Sequence, residues 1–236
     1  MTAFADVPVS PVRWPRGVRI IRSLFPPIDL FEEIARPEDW PLLNSGEQKT
    51  NPRLMETIGN IDLVPPKRRV GGPGASFLMA PFTHISTDRP SRFSDGSYGV
   101  LYVAEDFETA VSETIHHHAR FMAQTTQVPG WTSQFRELEL SVRADLQDIR
   151  RFEDDAARLL DPADYSAAQA FGADLRAQGS DGIVYPSVRG DGDCLGLFYP
   201  DLVQRPVQKR HLDYHWNGET VDLVRDAASG QVFRVV

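Results

Sequence analysis

SRFSDGSYGVLYVAEDFETAVSETIHHHARF, residues 91–121, reads as turn, strand and helix in succession and carries the densest set of reactive side chains in the chain. Arg92 sits in a polar, glycine-containing turn, and Val100, Leu101, Tyr102 and Val103 follow as a buried strand. A helix is expected next. Glu105, Asp106 and Glu108 place negative charge on its first turn, where the helix dipole favours it. Asp106 is the expected N-cap, with Thr109 three residues on. Phe107, Ala110, Val111, Thr114 and Ile115 then recur at three- and four-residue spacing and define one buried face. Glu113 lies beside that face, where a carboxylate needs either a partner or a task.

Upstream, residues 1–17 are interrupted by prolines and lack periodicity, so they are expected to form an irregular surface arm. Residues 18–21 read as a short strand with Arg22 at its end, sharing a face with Ile20, while Arg19 shares one with Ile21. Short helices are expected near 28–35 and 52–58. Residues 64–74, VPPKRRVGGPG, read as a loop with Lys67, Arg68 and Arg69 solvated or touching a partner. Residues from about 37 to 89 look like an insertion.

Downstream, Phe135, Leu138, Leu140 and Val142 mark a strand over 134–142, extended after a bend by 145–150. Asp161-Pro162 and Gly179 bracket a helix over 163–178. Ile183, Val184 and Tyr185 form a core strand ending at Pro186, which leaves Ser187 and Arg189 where the chain opens into a glycine-rich loop. Another strand covers 195–199. The C-terminus alternates over 211–216, turns at Asn217-Gly218, returns through 220–224 and ends in a last strand at 232–236, a strong hairpin pattern.

The 236 residues suit one large domain with an insertion. Hydrophobic content of 41% and a net charge of −8 describe a soluble globular chain, and acidity argues against direct binding to nucleic acid or an anionic membrane. Cys194 is the sole cysteine, which excludes an internal disulfide and a thiolate zinc site. Neither a long apolar segment nor a secretory signal is visible, so a cytoplasmic location is expected.

Several chemistries lack their parts. His116, His117 and His118 point in different directions on a helix, and of their spacings only Glu113 with His116 suits a shared ligand, so no metal is expected. Ser187 has no G-x-S-x-G elbow around it and suits hydrogen bonding to a ligand better than nucleophilic attack. A conventional glycosidase needs two opposed carboxylates. One carboxylate suffices when the leaving group is already cationic, as nicotinamide is in NAD+, because it departs neutral without a proton. Such a reaction also needs cationic groups on the pyrophosphate. Glu113 with Arg92 and Arg22 meets both requirements.

Arg22 after a first strand, Arg92-Phe93 in a polar turn, Tyr102 in GVLYVAEDFETAVSE, Glu113 in the next helix and SDGIVYPSVRG later together resemble the RES-domain toxins of bacterial type II toxin-antitoxin systems, over residues 18–198. The hairpin at His215-Trp216-Asn217-Gly218 is similar to the family's usual ending, and the long insertion is most similar to its ParT-like, ADP-ribosylating branch. The turn here is Ser91-Arg92-Phe93-Ser94 where the family commonly has Gly-Arg-Trp-Asn. The resemblance implies an α+β, ADP-ribosyltransferase-like fold: a split mixed β-sheet core flanked by helices, with an inserted helical and loop region and a C-terminal β-hairpin. It implies NAD+ as substrate, with Arg92 and Arg22 on the phosphates, Tyr102 against nicotinamide or its ribose, Glu113 holding the ribose and stabilising the transition state, and Ser187 bonding near the nicotinamide. It further implies a protein acceptor for ADP-ribose, with phosphoribosyl pyrophosphate synthetase the named candidate, and a DNA-binding, Xre-like antitoxin that occludes the NAD+ cleft. NAD+ depletion by water or phosphate is the alternative, and a nucleotide-binding module without catalysis is a third.

Overall fold

Strand β3 (Trp131–Asp148) is the spine on which the other strands are hung. The computed structural model describes residues 7–24, 28, 32, 36–40, 58–152 and 156–234. Around β3 lie β1 (Val9–Arg22), β2 (Leu101–Ala104), β4 (Gly182–Pro186), β5 (Asp193–Leu197), β6 (Val203–Trp216), β7 (Val221–Asp226) and β8 (Val232–Arg234). The sheet order is β1-β2-β5-β4-β3-β6-β7-β8, and β1 also pairs with β3, which closes the first five strands into a ring. The fold is α+β with a mixed sheet: β3 and β4 run parallel, and the other pairs run antiparallel.

The ring has two narrow joints. On one side β1 meets β2 only at Val18↔Ala104. On the other, β3 meets β4 only at Gln147↔Ile183 and Asp148↔Val184. Between these joints the β2-β5-β4 group separates from the long β1-β3-β6 group, and the split opens a cleft.

The two faces of β3 are both buried, in different places. Phe135 packs in one core with Leu212, Tyr214 and helix α2 (Phe107–Met122). Leu138, Leu140, Val142 and Leu146 pack in the other, with Trp40, Ile61, Val64 and helix α1 (Ala75–Thr83). Phe135 and Leu138 are an odd number of residues apart, so a regular strand puts them on opposite faces. The register against β6 slips between Arg136 and Leu138, so a bulge falls between the two faces.

Several expectations need correction. Residues 9–17 are not an arm but the first half of β1, paired with residues 140–147 of β3. Pro11 and Pro15 are tolerated because this half of β1 has no described partner on its other side, so a missing N–H breaks no ladder there. β3 runs unbroken to Asp148, and β6 starts at Val203. Helix α4 (Ser166–Ala177) begins later than residue 163, because Asp161 Oδ1 accepts from the amides of Ala163 and Asp164 and holds a turn ahead of it; α3 (Ala156–Leu159) precedes it. Residues 75–83, inside the expected helical and loop insertion but with no helix assigned to them, form α1 despite Pro81 and cover one face of the sheet. Arg68 is not solvated: it pairs with Asp181 at 2.6 Å and Asp201 at 2.8 Å and lies over Tyr199, and Arg69 is buried. The expected helices at 28–35 and 52–58 lie almost wholly outside the described residues.

One ion cluster fastens the second joint. Arg150 donates to Asp148 through Nε and Nη2, at 2.9 and 2.6 Å, and to Asp193 of β5 at 3.0 Å. These bonds, those from Arg150 first, hold the Asp148 carboxyl down at about 2. A depressed carboxyl contributes stability above its unfolded value of about 3.9, and that contribution disappears as pH falls through about 2. After solvent screening, Asp148→Asn should cost about 1–2 kcal/mol at neutral pH, with the gap to the native chain closing on acidification. Urea unfolding at several pH values checks this, and a gap independent of pH contradicts it.

Candidate active-site cleft

The cleft begins with the 91–94 turn. Ser91 N donates to Ser94 O at 2.8 Å, and Ser94 Oγ donates to Tyr98 O at 2.6 Å. Phe93 is fully buried, edge-on to Tyr185 at 5.0 Å between centroids. Helix α4 reaches this turn through Gly172, where an added Cβ would stand 2.3 Å from Phe93 O. Tyr102 on β2 fastens the turn from the other side. Its hydroxyl accepts from Phe93 N at 3.0 Å and donates to Ser91 Oγ at 2.9 Å. Burial pushes that phenol up to about 12, so it stays protonated.

Arg92 projects from the turn and is itself buried. Its Nη1 donates to Leu159 O at 3.2 Å and Asp161 O at 2.9 Å, and the guanidinium lies 4.5 Å from the Tyr165 ring. On the opposite wall Glu113 stands on α2, whose start is capped as expected by Asp106, accepting from Thr109 N at 2.7 Å. Ser187 Oγ donates to Glu113 Oε1 at 2.7 Å. The same oxygen accepts from the amides of Arg189 and Gly190, at 3.1 and 2.9 Å. Two incoming amides fill the hydroxyl's lone pairs, so its proton is directed to Glu113. Ser187 is therefore a holder of Glu113. The loop that carries it lies against the start of α2: Gly192 N donates to Thr109 Oγ1 at 3.2 Å, and a Cβ on Gly192 would come 2.6 Å from that oxygen.

A cleft of about 320 Å³ brings together Arg92, Tyr102, Glu113, Arg19, His117 and Tyr165, among others. Arg22 is not among the lining residues. It sits 5.4 Å from the Phe121 ring, at the far end of α2. Arg19 lines the cleft instead, donating to Tyr102 O at 2.8 Å, with a buried Nε that has no hydrogen-bond partner. Burial pulls its guanidinium down to about 10, still charged at neutral pH. Val18 and Ile20, which share Arg22's face by alternation, line the cleft along with Arg19, so what separates the two arginines is position along β1: Arg22 lies beyond the cleft, near Phe121.

The histidines separate as well. His118 is buried among Phe135, Tyr214 and Phe121, and burial first, then Arg22, lowers it to about 4. Glu113 meets His117 at 3.9 Å, not the His116 that spacing singled out. Among the described residues no group of three or more His, Cys, Asp or Glu gathers where a metal ion would be held. Cys194 also lines the cleft, and burial pushes its thiol up to about 12, so it supplies no thiolate. Glu113 is the only carboxylate among the lining residues described here. The cleft thus holds one anion and two guanidiniums, with no second carboxyl to protonate a leaving group.

The RES domain family model matches residues 66–217. The chain belongs to the RES domain family. An uncharacterised protein, y4oC of Sinorhizobium fredii (strain NBRC 101917 / NGR234), is 27% identical over 213 residues, 87% of this chain and 85% of that one. The crystal structure of the M. tuberculosis MbcT-MbcA toxin-antitoxin complex aligns over 87% of this chain and 87% of its own, with 12% identity and a TM-score of 0.43. The RES match takes in Arg92, Tyr102, Glu113 and Ser187 and stops short of β1 with its Arg19. No helix among the described residues is long and apolar enough to cross a membrane.

Because α4 approaches the Arg92 turn at Gly172 with no room for a methyl group, Gly172→Ala should destabilise the protein by about 1–3 kcal/mol and displace Phe93 and Arg92. Chemical denaturation checks this, and an unchanged midpoint contradicts the close approach.

Proposed function

We propose that this chain is the toxin of a bacterial toxin-antitoxin pair that cleaves the nicotinamide-ribose bond of NAD+ and passes ADP-ribose to a protein acceptor. Membership of the RES family supports the class. The observation that carries the chemistry is the cleft's charge arrangement: a single carboxylate, Glu113, with Arg19 and Arg92 and no acid partner. The substrate supplies a cationic leaving group that departs neutral, so the protein need only stabilise the positive charge that develops on the ribose and hold the diphosphate. Glu113, held through Oε1 by Ser187, does the first. Arg92 does the second, and Arg19, with its unpartnered buried Nε, takes the place expected of Arg22. A cleft of 320 Å³ is at the small end of ligand sites, so one half of the dinucleotide lies inside and the other extends through the open mouth. Tyr102 keeps Arg92 in place and offers the ring face beside the nicotinamide.

The acceptor we favour is a protein, with phosphoribosyl pyrophosphate synthetase the candidate that the ParT-like motif pattern suggests. An Xre-like, DNA-binding antitoxin that covers this cleft is the proposed partner, in the cytoplasm. The test is incubation with NAD+ labelled on its adenylate half, alone, with phosphate and with cell lysate. Nicotinamide release with label on a discrete protein band is expected, and Glu113→Gln should reduce release about 10²- to 10³-fold. Release with only free or phosphorylated ADP-ribose would replace transfer by NAD+ depletion. An absence of release, with Glu113→Gln binding the nucleotide as well as the native chain, would leave a binding module.

A further inference from the structure

Of the titratable side chains lining the cleft that bond cleavage leaves unused, His117 is the only imidazole. His117 follows Glu113 by one turn of α2, so the two project on the same face, and both line the cleft. Its Nε2 lies 3.9 Å from Glu113 Oε2, too far for a hydrogen bond. That gap lets the two groups address one small molecule from neighbouring positions. The imidazole is 58% exposed where the carboxylate is 23% exposed, so it stands nearer the mouth, where a second reactant arrives.

The groups around this ring favour its neutral form. Arg120 lies on the same helix, Arg189 on the 187–193 loop and Arg92 on the turn across the cleft. Burial first, together with these three cations, outweighs Glu113 and lowers the imidazole below its ordinary value. His116, edge-on at 5.4 Å between centroids, is itself lowered to about 4, by burial first and then by Arg189, so it adds no positive charge beside the ring at neutral pH. At neutral pH the ring therefore carries an available lone pair.

Glu113 is poorly suited to deprotonate an acceptor. A carboxylate that takes up a proton loses its charge at the moment the ribose cation needs it. We propose that His117 is the base that receives the proton of the incoming acceptor. The inference rests on the NAD+-cleavage reading and adds to it the class of acceptor. As the bond from ribose C1′ to nicotinamide nitrogen breaks, its electron pair leaves with neutral nicotinamide. A lone pair on the acceptor oxygen forms the new C1′–O bond. The O–H proton passes to His117 and then to solvent, so the reaction yields one proton in addition to nicotinamide and the adduct. Such a base helps only acceptors with a proton to lose, water or a hydroxyl group, and gives nothing to an anion.

The test is therefore a partition. Native protein, His117→Gln and His117→Ala are each incubated with NAD+ in buffer containing azide, and ADP-ribose and azido-ADP-ribose are quantified by mass spectrometry from the same reaction. Azide attacks without losing a proton, so its adduct also reports that the cleft is intact. The ratio of ADP-ribose to azido-ADP-ribose should fall at least about tenfold in both variants, with azide adduct formation near the native rate. An unchanged ratio, or a parallel fall in both products, would overturn the role of His117. Absence of nicotinamide release from the native protein with water, azide and added cell lysate alike would instead sink the cleavage reading, and the base with it.

Discussion

A single buried phenol ties the site together. Tyr102 sits on a strand of four residues, opposite Gly196 of β5, where an added Cβ would press to 3.2 Å from the Phe93 ring. Its hydroxyl holds both Phe93 N and Ser91 Oγ, and its backbone carbonyl accepts from Arg19. Both guanidiniums of the cleft are thus positioned through one residue, Arg92 by way of the turn and Arg19 directly. Leaving Phe93 N buried without its acceptor would cost about 1–3 kcal/mol, a large share of a domain's stability.

The charge arrangement depends on the split in the sheet. A continuous sheet would carry β2 flat against β1 and bury the space between them. Here the two meet at one residue pair, and the second joint is two pairs long, reinforced by the Asp148-Arg150-Asp193 cluster. Helix α2 brings Glu113 into the same cleft as the two arginines. Burial lowers His117 and raises a phenol and a thiol in the cleft, and in such partly desolvated surroundings one carboxylate acts more strongly on a developing cation than it would in water.

Much of this was legible from local pattern. The Asp106 cap, the face of α2, the strand ending at Pro186 and the Asn217-Gly218 hairpin all rest on interactions within a few residues of one another, and the structure has them where the sequence puts them. What the sequence concealed was tertiary. The prolines at 11 and 15 argued against a strand, and only the unpaired edge of β1 explains why they are tolerated. Leu138 follows Phe135 at an odd interval, which sets them on opposite faces, but that both faces are buried depends on helices from distant parts of the chain, α2 on one side and α1 on the other. Arg22 and Arg19 are equivalent by composition, and where the cleft falls along β1 separates them, at residues 18–20 and short of Arg22. His117 was hidden by a different mechanism: three adjacent histidines look alike in sequence, yet one packs among aromatic rings, one faces Arg189 and one lines the cleft.

On our proposal the Arg92 turn and Glu113 form the two walls of an NAD+ site. A crystal structure of Glu113→Gln with NAD+ tests it most directly. The ribose of the nicotinamide half is expected beside residue 113 and the diphosphate against Arg92 and Arg19. A nucleotide seated elsewhere, for example in the 750 Å³ groove lined by Arg13, Glu139 and Arg143, would contradict it.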